Sequence, residues 1–231
     1  MKLLAIDTSE NGCTAALHID GEVLERFELA PRKHTDLIIP MIDELMSDSG
    51  LSVVQLDALA YGRGPGSFTG IRVGAGVIQG IAIAADLPVV AVSTLRALAQ
   101  GAYRQHSVGK VLPAFDARMQ EVYWGVYEID SDNIMQSLEN DIVTAPANVE
   151  LPEGDDWFAV GSGWAEYPVL MDLAKGKLSG TDDRALVHAG DVAELAVVDF
   201  QQGNALPAEQ AVPVYLRDNV AKKKKEQKAS V

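Results

Sequence analysis

Cysteine is almost missing from this sequence, where Cys13 is the one thiol in 231 residues. That excludes an intramolecular disulfide framework and any zinc site built on several cysteines, and it fits a reducing, cytoplasmic setting. Histidine is equally sparse: His18, His34, His106 and His188 never fall three to five residues apart. A helical site of the His-Glu-x-x-His kind needs two histidines on one face, so zinc-hydrolase chemistry has no ligand set and no metal site is expected. Long apolar runs are absent as well. The most apolar stretch, residues 73–85, has 13 residues against the roughly 20 needed to span a bilayer. Residues 3–6 are too short a run for the apolar region of a signal peptide.

Positive charge is scarce until the very end. Residues 1–221 carry 14 basic against 32 acidic residues, a net −18, while residues 222–231 carry five lysines and one glutamate, a net +4. A body this acidic repels polyphosphate, which argues against a stand-alone nucleic-acid binder. The terminal cluster, Lys222 to Lys225 with Lys228, is either a solvated, frayed end, the default for such a run, or a contact for RNA or an acidic partner.

What is present is enough apolar material, 48% of the chain, for one large or two small α/β domains. Residues 3–6, 13–19 and 23–29, separated by a polar turn and by Asp20-Gly21, predict three antiparallel strands. Residues 36–47 have helical spacing, with Pro40 tolerable only near the helix start. Their apolar side chains cover an arc of about 200° at about 100° per residue, twice what one core-facing stripe requires. A second helix, at about 71–85, follows a strand at 58–61 and a glycine-rich segment. Gly76, Gly80 and Ala84 fall four apart on it and leave one side as bare backbone, suited to close helix approach. A strand at 89–92 and a helix at 94–103 complete the first half.

The layout then repeats. Residues 111–118 followed by 121–129 copy the order of residues 3–9 followed by 13–19: an apolar strand ending in an aspartate, a turn, and a returning strand. Repetition at half the chain length predicts two domains of one core plan, 1–103 and 104–231, with a boundary near 101–109. Residues beyond 130 read as polar and irregular, then as a strand at 157–160, a turn at 161–164 and a helix at 189–200.

No catalytic motif emerges. Gly64, Gly66 and Gly70 miss the dinucleotide spacing, no Lys-Ser or Lys-Thr completes a phosphate loop, and Gly64-Pro65-Gly66-Ser67-Phe68 is no nucleophile elbow. The glycine-rich segment either holds an anion at a helix start or makes a tight turn. Asp7, Thr8, Ser9 and Asp116 sit at equivalent hairpin tips. They either approach a nucleotide's metal and phosphates or terminate strands. The second tip reads Asp116-Ala117-Arg118-Met119 and lacks glycine, so half of such a clamp is missing.

Several of these segments together resemble the bacterial TsaB (YeaZ) family. They are Ala5-Ile6-Asp7-Thr8-Ser9, His34-Thr35, the run from Tyr61 through Gly74, Asp116-Ala117-Arg118 with Glu121-Val122-Tyr123, and Pro213-Val214-Tyr215-Leu216-Arg217. The resemblance implies an actin-like ATPase fold of two ribonuclease-H-like halves. It implies a non-catalytic scaffold or activating subunit in the complex that forms N6-threonylcarbamoyladenosine at position 37 of ANN-reading tRNAs, with no cofactor of its own. A TsaD-like catalytic partner would carry the metal-binding histidines, a TsaE-like ATPase would join, and tRNA would be reached only through the complex. The family pairs through N-terminal helices, which places the expected partner or homodimer face on Leu37, Ile38, Met41, Ile42 and Leu45 of one helix. On the other helix the face falls on Val73, Gly76, Val77 and Gly80. Asp7, Thr8, Ser9 and Asp116 become vestigial nucleotide positions. An independent kinase or ATPase of the actin-like superfamily is the alternative, and a peptidase, lacking a metal motif or triad, is less favoured.

Overall fold

The computed structural model describes residues 1–217; the lysine cluster lies outside the described residues. The chain opens with β1 (Lys2–Asp7), β2 (Gly12–Ile19) and β3 (Glu22–Leu29), followed by α1 (His34–Ser49), β4 (Ala58–Gly62), α2 (Phe68–Ala85), β5 (Val89–Val92) and α3 (Thr94–His106). These strands form one sheet in the order β3-β2-β1-β4-β5. The β1–β2 and β2–β3 pairs are antiparallel, whereas β1–β4 and β4–β5 are parallel. Central β1 is buried on both faces, which is why it reads as an unbroken apolar run. Leu4 and Ile6 face α1 and α2, while Leu3 and Ala5 face a second cluster built on α3 and a C-terminal helix.

The second half supplies β6 (Lys110–Asp116), β7 (Val122–Trp124), β8 (Tyr127–Ile129), β9 (Met135–Ser137), β10 (Ile142–Thr144) and β11 (Trp157–Val160). Then come α4 (Ser162–Glu166), α5 (Pro168–Leu173), β12 (Leu178–Asp182) and α6 (Ala189–Gln201). The main path of its sheet runs β10-β7-β6-β11-β12, with β7 antiparallel to β6 and to β10, and β6, β11 and β12 mutually parallel. Order and direction match the first sheet strand for strand. The duplicated ribonuclease-H-like plan is therefore present as an actin-like, layered α/β fold.

The layers are α1 and α2, the first sheet, α3 and α6, the second sheet, then α4 and α5. The chain does not stay on one side of this stack. Helix α6 packs on β1 and β2, and the segment after it returns to the first sheet through a Val89–Leu206 bridge.

Several local readings need correction. Helix α1 starts at His34, two residues before the expected start, so Pro40 sits in its second turn. The carbonyl of Asp36 thereby loses its intrahelical donor, at a place where both residues are exposed to solvent. The returning strand expected at 121–129 breaks at Gly125, where a Cβ would come within 2.6 Å of the Tyr127 ring. The polar stretch beyond 130 contains β9 and β10. The turn read at 161–164 is the start of α4, entered through Gly161 with φ of 99°.

Candidate functional site

The two halves enclose a cleft of about 1180 Å³. From the first half it is lined by Glu10, Thr35 and the glycine-rich segment at Gly66 to Gly70; from the second, by Asp116, Arg118 and Ser162. Arg217, near the end of the described chain, lines it as well.

The first hairpin tip stands behind this cleft. Asp7, Thr8 and Ser9 are 2%, 1% and 0% exposed, and none of them lines the cavity. Asp7 Oδ1 accepts bonds from the Ser9 backbone N–H at 2.9 Å and the Ser9 hydroxyl at 2.8 Å. Its Oδ2 has no hydrogen-bond partner among the described residues. Burial pushes the Asp7 carboxyl up to about 6, against the two Ser9 bonds that lower it. A Cβ on Gly62 would lie 1.8 Å from Oδ2, so only glycine fits there.

Glycines explain how the tip is sealed. Cβ atoms on Gly66 and Gly70 would stand 2.6 Å from the Ser9 carbonyl oxygen and 2.0 Å from that of Thr8. The segment lies directly on the tip, where the Ser67 N–H donates to Ser9 O at 2.7 Å and the Thr8 hydroxyl donates to Gly70 O at 2.7 Å. The segment makes a tight turn against the tip, and its glycines permit the backbone contact. The Ser67 side chain caps α2 by accepting from the Gly70 N–H at 3.4 Å.

Asp116 does reach the cleft, but its oxygens are also engaged. Oδ1 accepts from the Tyr167 hydroxyl at 2.7 Å and the Arg118 N–H at 2.8 Å, and Oδ2 pairs with the Arg118 guanidinium at 2.7 Å. Glu10 was missed in the sequence, although its place three residues after Asp7 in a polar turn was a usable signal. Its Oε2 accepts from the Ser162 hydroxyl at 3.3 Å across the cleft. Burial pushes its carboxyl up to about 7; the Ser162 bond lowers it, and the charges of Asp7 and Asp116 add to the rise. Among the described residues, no group of three or more His, Cys, Asp or Glu side chains is placed to hold a metal ion.

The helical face expected from the sequence is divided. Ile38, Met41, Ile42 and Leu45 are 0–8% exposed and belong to the core between α1 and the first sheet. Within the subunit these four are occupied in its own core, and little of their surface is left facing outward. Leu37 is half-buried, and Ile39, absent from the expected set, is exposed. The wide apolar arc thus has a mundane cause, with most of it covered by β2 and its own core.

Helix α2 differs. Gly76 and Gly80 are exposed, and a Cβ at either would meet nothing within 4 Å. Val73 and Val77 beside them are half-buried, and Phe68 and Ile83 are exposed. By length and composition the helix is apolar enough to cross a membrane, yet it packs on β4 with only a third of its residues buried. One face of the helix is buried against the first sheet and the outward face is apolar as well, a surface of the kind that marks interaction sites.

A family model described as TsaD, tRNA N6-adenosine threonylcarbamoyltransferase, matches residues 27–225. The tRNA threonylcarbamoyladenosine biosynthesis protein TsaB of Escherichia coli (strain K12) is 45% identical over 97% of this chain and 98% of that protein. The protein of the same description from Bacillus subtilis (strain 168) is 35% identical over 94% of each. A solved structure of YeaZ from Pseudomonas aeruginosa is 42% identical, with a TM-score of 0.88, covering 93% of this chain and 99% of that one. With full-length similarity at this level, a shared fold and the family motifs in place along the chain, the chain belongs to the TsaB (YeaZ) family.

Proposed function

We propose that this chain takes part in forming threonylcarbamoyladenosine in tRNA, as a non-catalytic subunit that binds and supports a TsaD-like catalytic chain. The names of its relatives support the pathway. The partner role rests on one observation above the others: α2 turns a glycine-stepped, apolar face outward with open space in front of Gly76 and Gly80. A partner helix can approach such a face at backbone distance and bury Phe68, Val73, Val77 and Ile83 around the contact. Residues 1–103 form the half that carries it. In the absence of the partner, a second copy of this chain pairs through the same face as a symmetric dimer, and a TsaE-like ATPase joins the larger assembly.

The buried tip supports the non-catalytic reading. A kinase needs donors and a carboxylate open to phosphate and metal, whereas Asp7, Thr8 and Ser9 are buried and their polar contacts are largely internal. The acidic body fits tRNA being reached through the complex. Reconstituting threonylcarbamoyl transfer to tRNA with and without this chain tests the proposal. Product should fall steeply on omission, and an unchanged yield would overturn the supporting role.

A further inference from the structure

The turn joining β6 to β7 holds an uncommon backbone. Arg118, Met119 and Gln120 take φ values of 61°, 56° and 62°, so three successive residues with side chains occupy the left-handed region. L-residues enter that region singly and at a steric cost, and a run of three needs outside support. Within the turn, the Ala117 N–H donates to Glu121 O and the Glu121 N–H donates to Arg118 O, both at 3.0 Å. Asp116 Oδ1 also accepts the Arg118 N–H at 2.8 Å, and support from outside the hairpin comes from Arg217, about a hundred residues away. Its Nη2 donates to the Ala117 carbonyl at 3.0 Å and the Arg118 carbonyl at 3.4 Å, and its Nε donates to Glu121 Oε2 at 2.8 Å.

Arg217 is itself anchored on the opposite half. The segment before it crosses from the first sheet: the Tyr61 hydroxyl donates to Val212 O at 2.9 Å and the Val214 N–H donates to Arg63 O at 2.8 Å. Arg72 of α2 donates through Nε to the Tyr215 hydroxyl at 2.7 Å and stacks over Phe68 at 3.5 Å. A strap made of residues 212–217 therefore spans the cleft from the start of α2 to the β6–β7 turn.

We propose that Arg217 is a positioning residue: through this strap it clasps the β6–β7 turn in its left-handed form and so fixes where Arg118 and Met119 stand at the cleft mouth. The chemistry suits a guanidinium, whose planar fork donates to two carbonyls and a carboxylate at once; an ammonium cannot reproduce that fork. Loss of the clasp should leave Ala117 O without a donor and Arg118 O with the Glu121 N–H alone, and the turn should relax toward the extended backbone that a protease requires.

Trypsin cleavage after Arg118, followed by mass spectrometry on the full-length chain, reads this directly, because the Arg118 side chain is 83% exposed while its backbone is held. Arg217→Ala should speed cleavage at this bond by about tenfold or more, the factor expected when a local opening becomes easier. Cleavage at the other sites that both chains keep should be unchanged. Arg217→Lys should not restore protection. In the Arg217→Ala background, Gln120→Asn should slow the cut again, since asparagine tolerates the left-handed region. Equal cleavage rates in wild type and Arg217→Ala would overturn the proposal, as would acceleration at every site in step with a fall in Tm, or full rescue by lysine.

Discussion

Gly70 and Thr8 are held in close contact: the Thr8 hydroxyl donates to the Gly70 carbonyl at 2.7 Å, and a Cβ on Gly70 would stand 2.0 Å from the Thr8 carbonyl oxygen. That oxygen belongs to the backbone and not to a flexible side chain, so a methyl there forces the first hairpin tip and the start of α2 apart. Gly70→Ala should cost about 3 kcal/mol, the upper range for overpacking. Gly76→Ala, six residues along the same helix, should have the opposite sign. Its Cβ meets nothing, and alanine in a helix interior is favoured over glycine by about 0.5–1 kcal/mol. Urea unfolding of both variants checks the pair, and a Gly70→Ala chain as stable as wild type would contradict the sealed tip.

Stability should fall as pH rises through the range in which Asp7 ionises. The folded chain holds that proton up to about 6, whereas the ordinary value is 3.8. Between those limits the folded state binds more protons than the unfolded one, so unfolding free energy declines with rising pH and levels off above the upper limit. The loss attributable to Asp7 is up to about 3 kcal/mol, from the size of the rise. Glu10, pushed up to about 7, extends the decline in the same direction. Asp7→Asn keeps an acceptor for Ser9 without the charge and should flatten the profile between about pH 4 and 6. Denaturant midpoints across pH 4.5 to 8 provide the measurement; a wild-type profile that rises over this window would reverse the assignment.

The same carboxylates show what a linear reading could and could not reach. The strand patterns at residues 3–6 and 111–116, each ending in an aspartate, carry the duplication because β1 and β6 are central strands whose period and length depend on local sequence. Their exposure was not legible. Asp7 looks like a ligand at a hairpin tip, and only the approach of Gly62, Gly66 and Gly70 reveals that the tip is covered. Likewise Ile38 and Leu45 are indistinguishable in sequence from interface residues, since a helix buried by its own sheet and one buried by a partner use the same side chains. The glycine steps of α2 were readable as a close-packing face, but whether the space before them was filled required coordinates. Arg217 and its turn are separated by about a hundred residues, and no local pattern links them.

Another long-range link was equally hidden. Asp191, at the start of α6 and 1% exposed, accepts two bonds from Arg104 of α3, at 2.7 and 2.9 Å. Burial raises its carboxyl, with Arg104 opposing the rise. Arg104→Ala leaves this carboxylate buried without its cation. Because Arg104 is half-exposed, the cost should lie below the range for a fully buried pair, at about 2–3 kcal/mol. Adding Asp191→Asn to Arg104→Ala should recover part of the loss, as removal of an unpaired charge predicts. Thermal unfolding of the two variants tests this, and an Arg104→Ala chain with unchanged Tm would show the pair to be dispensable.

The outward face of α2 can be separated experimentally from the core beneath it. Gly76→Arg and Ile83→Glu place charge where the isolated subunit has open space or an exposed side chain, so folding should be nearly unaffected. Burying either charge against a partner without compensation costs about 3–5 kcal/mol, a weakening of roughly 100-fold or more on the affinity scale. Ile42→Glu does not make this test, because Ile42 is 4% exposed within the subunit's own core and its replacement should unfold the chain before any partner is involved. Gel filtration and calorimetry with the TsaD-like chain, alongside circular dichroism of each variant alone, distinguish the cases. Folded Gly76→Arg and Ile83→Glu subunits that still bind the partner at wild-type affinity would move the interface off α2. A folded Ile42→Glu subunit would contradict the packing of α1 on the first sheet.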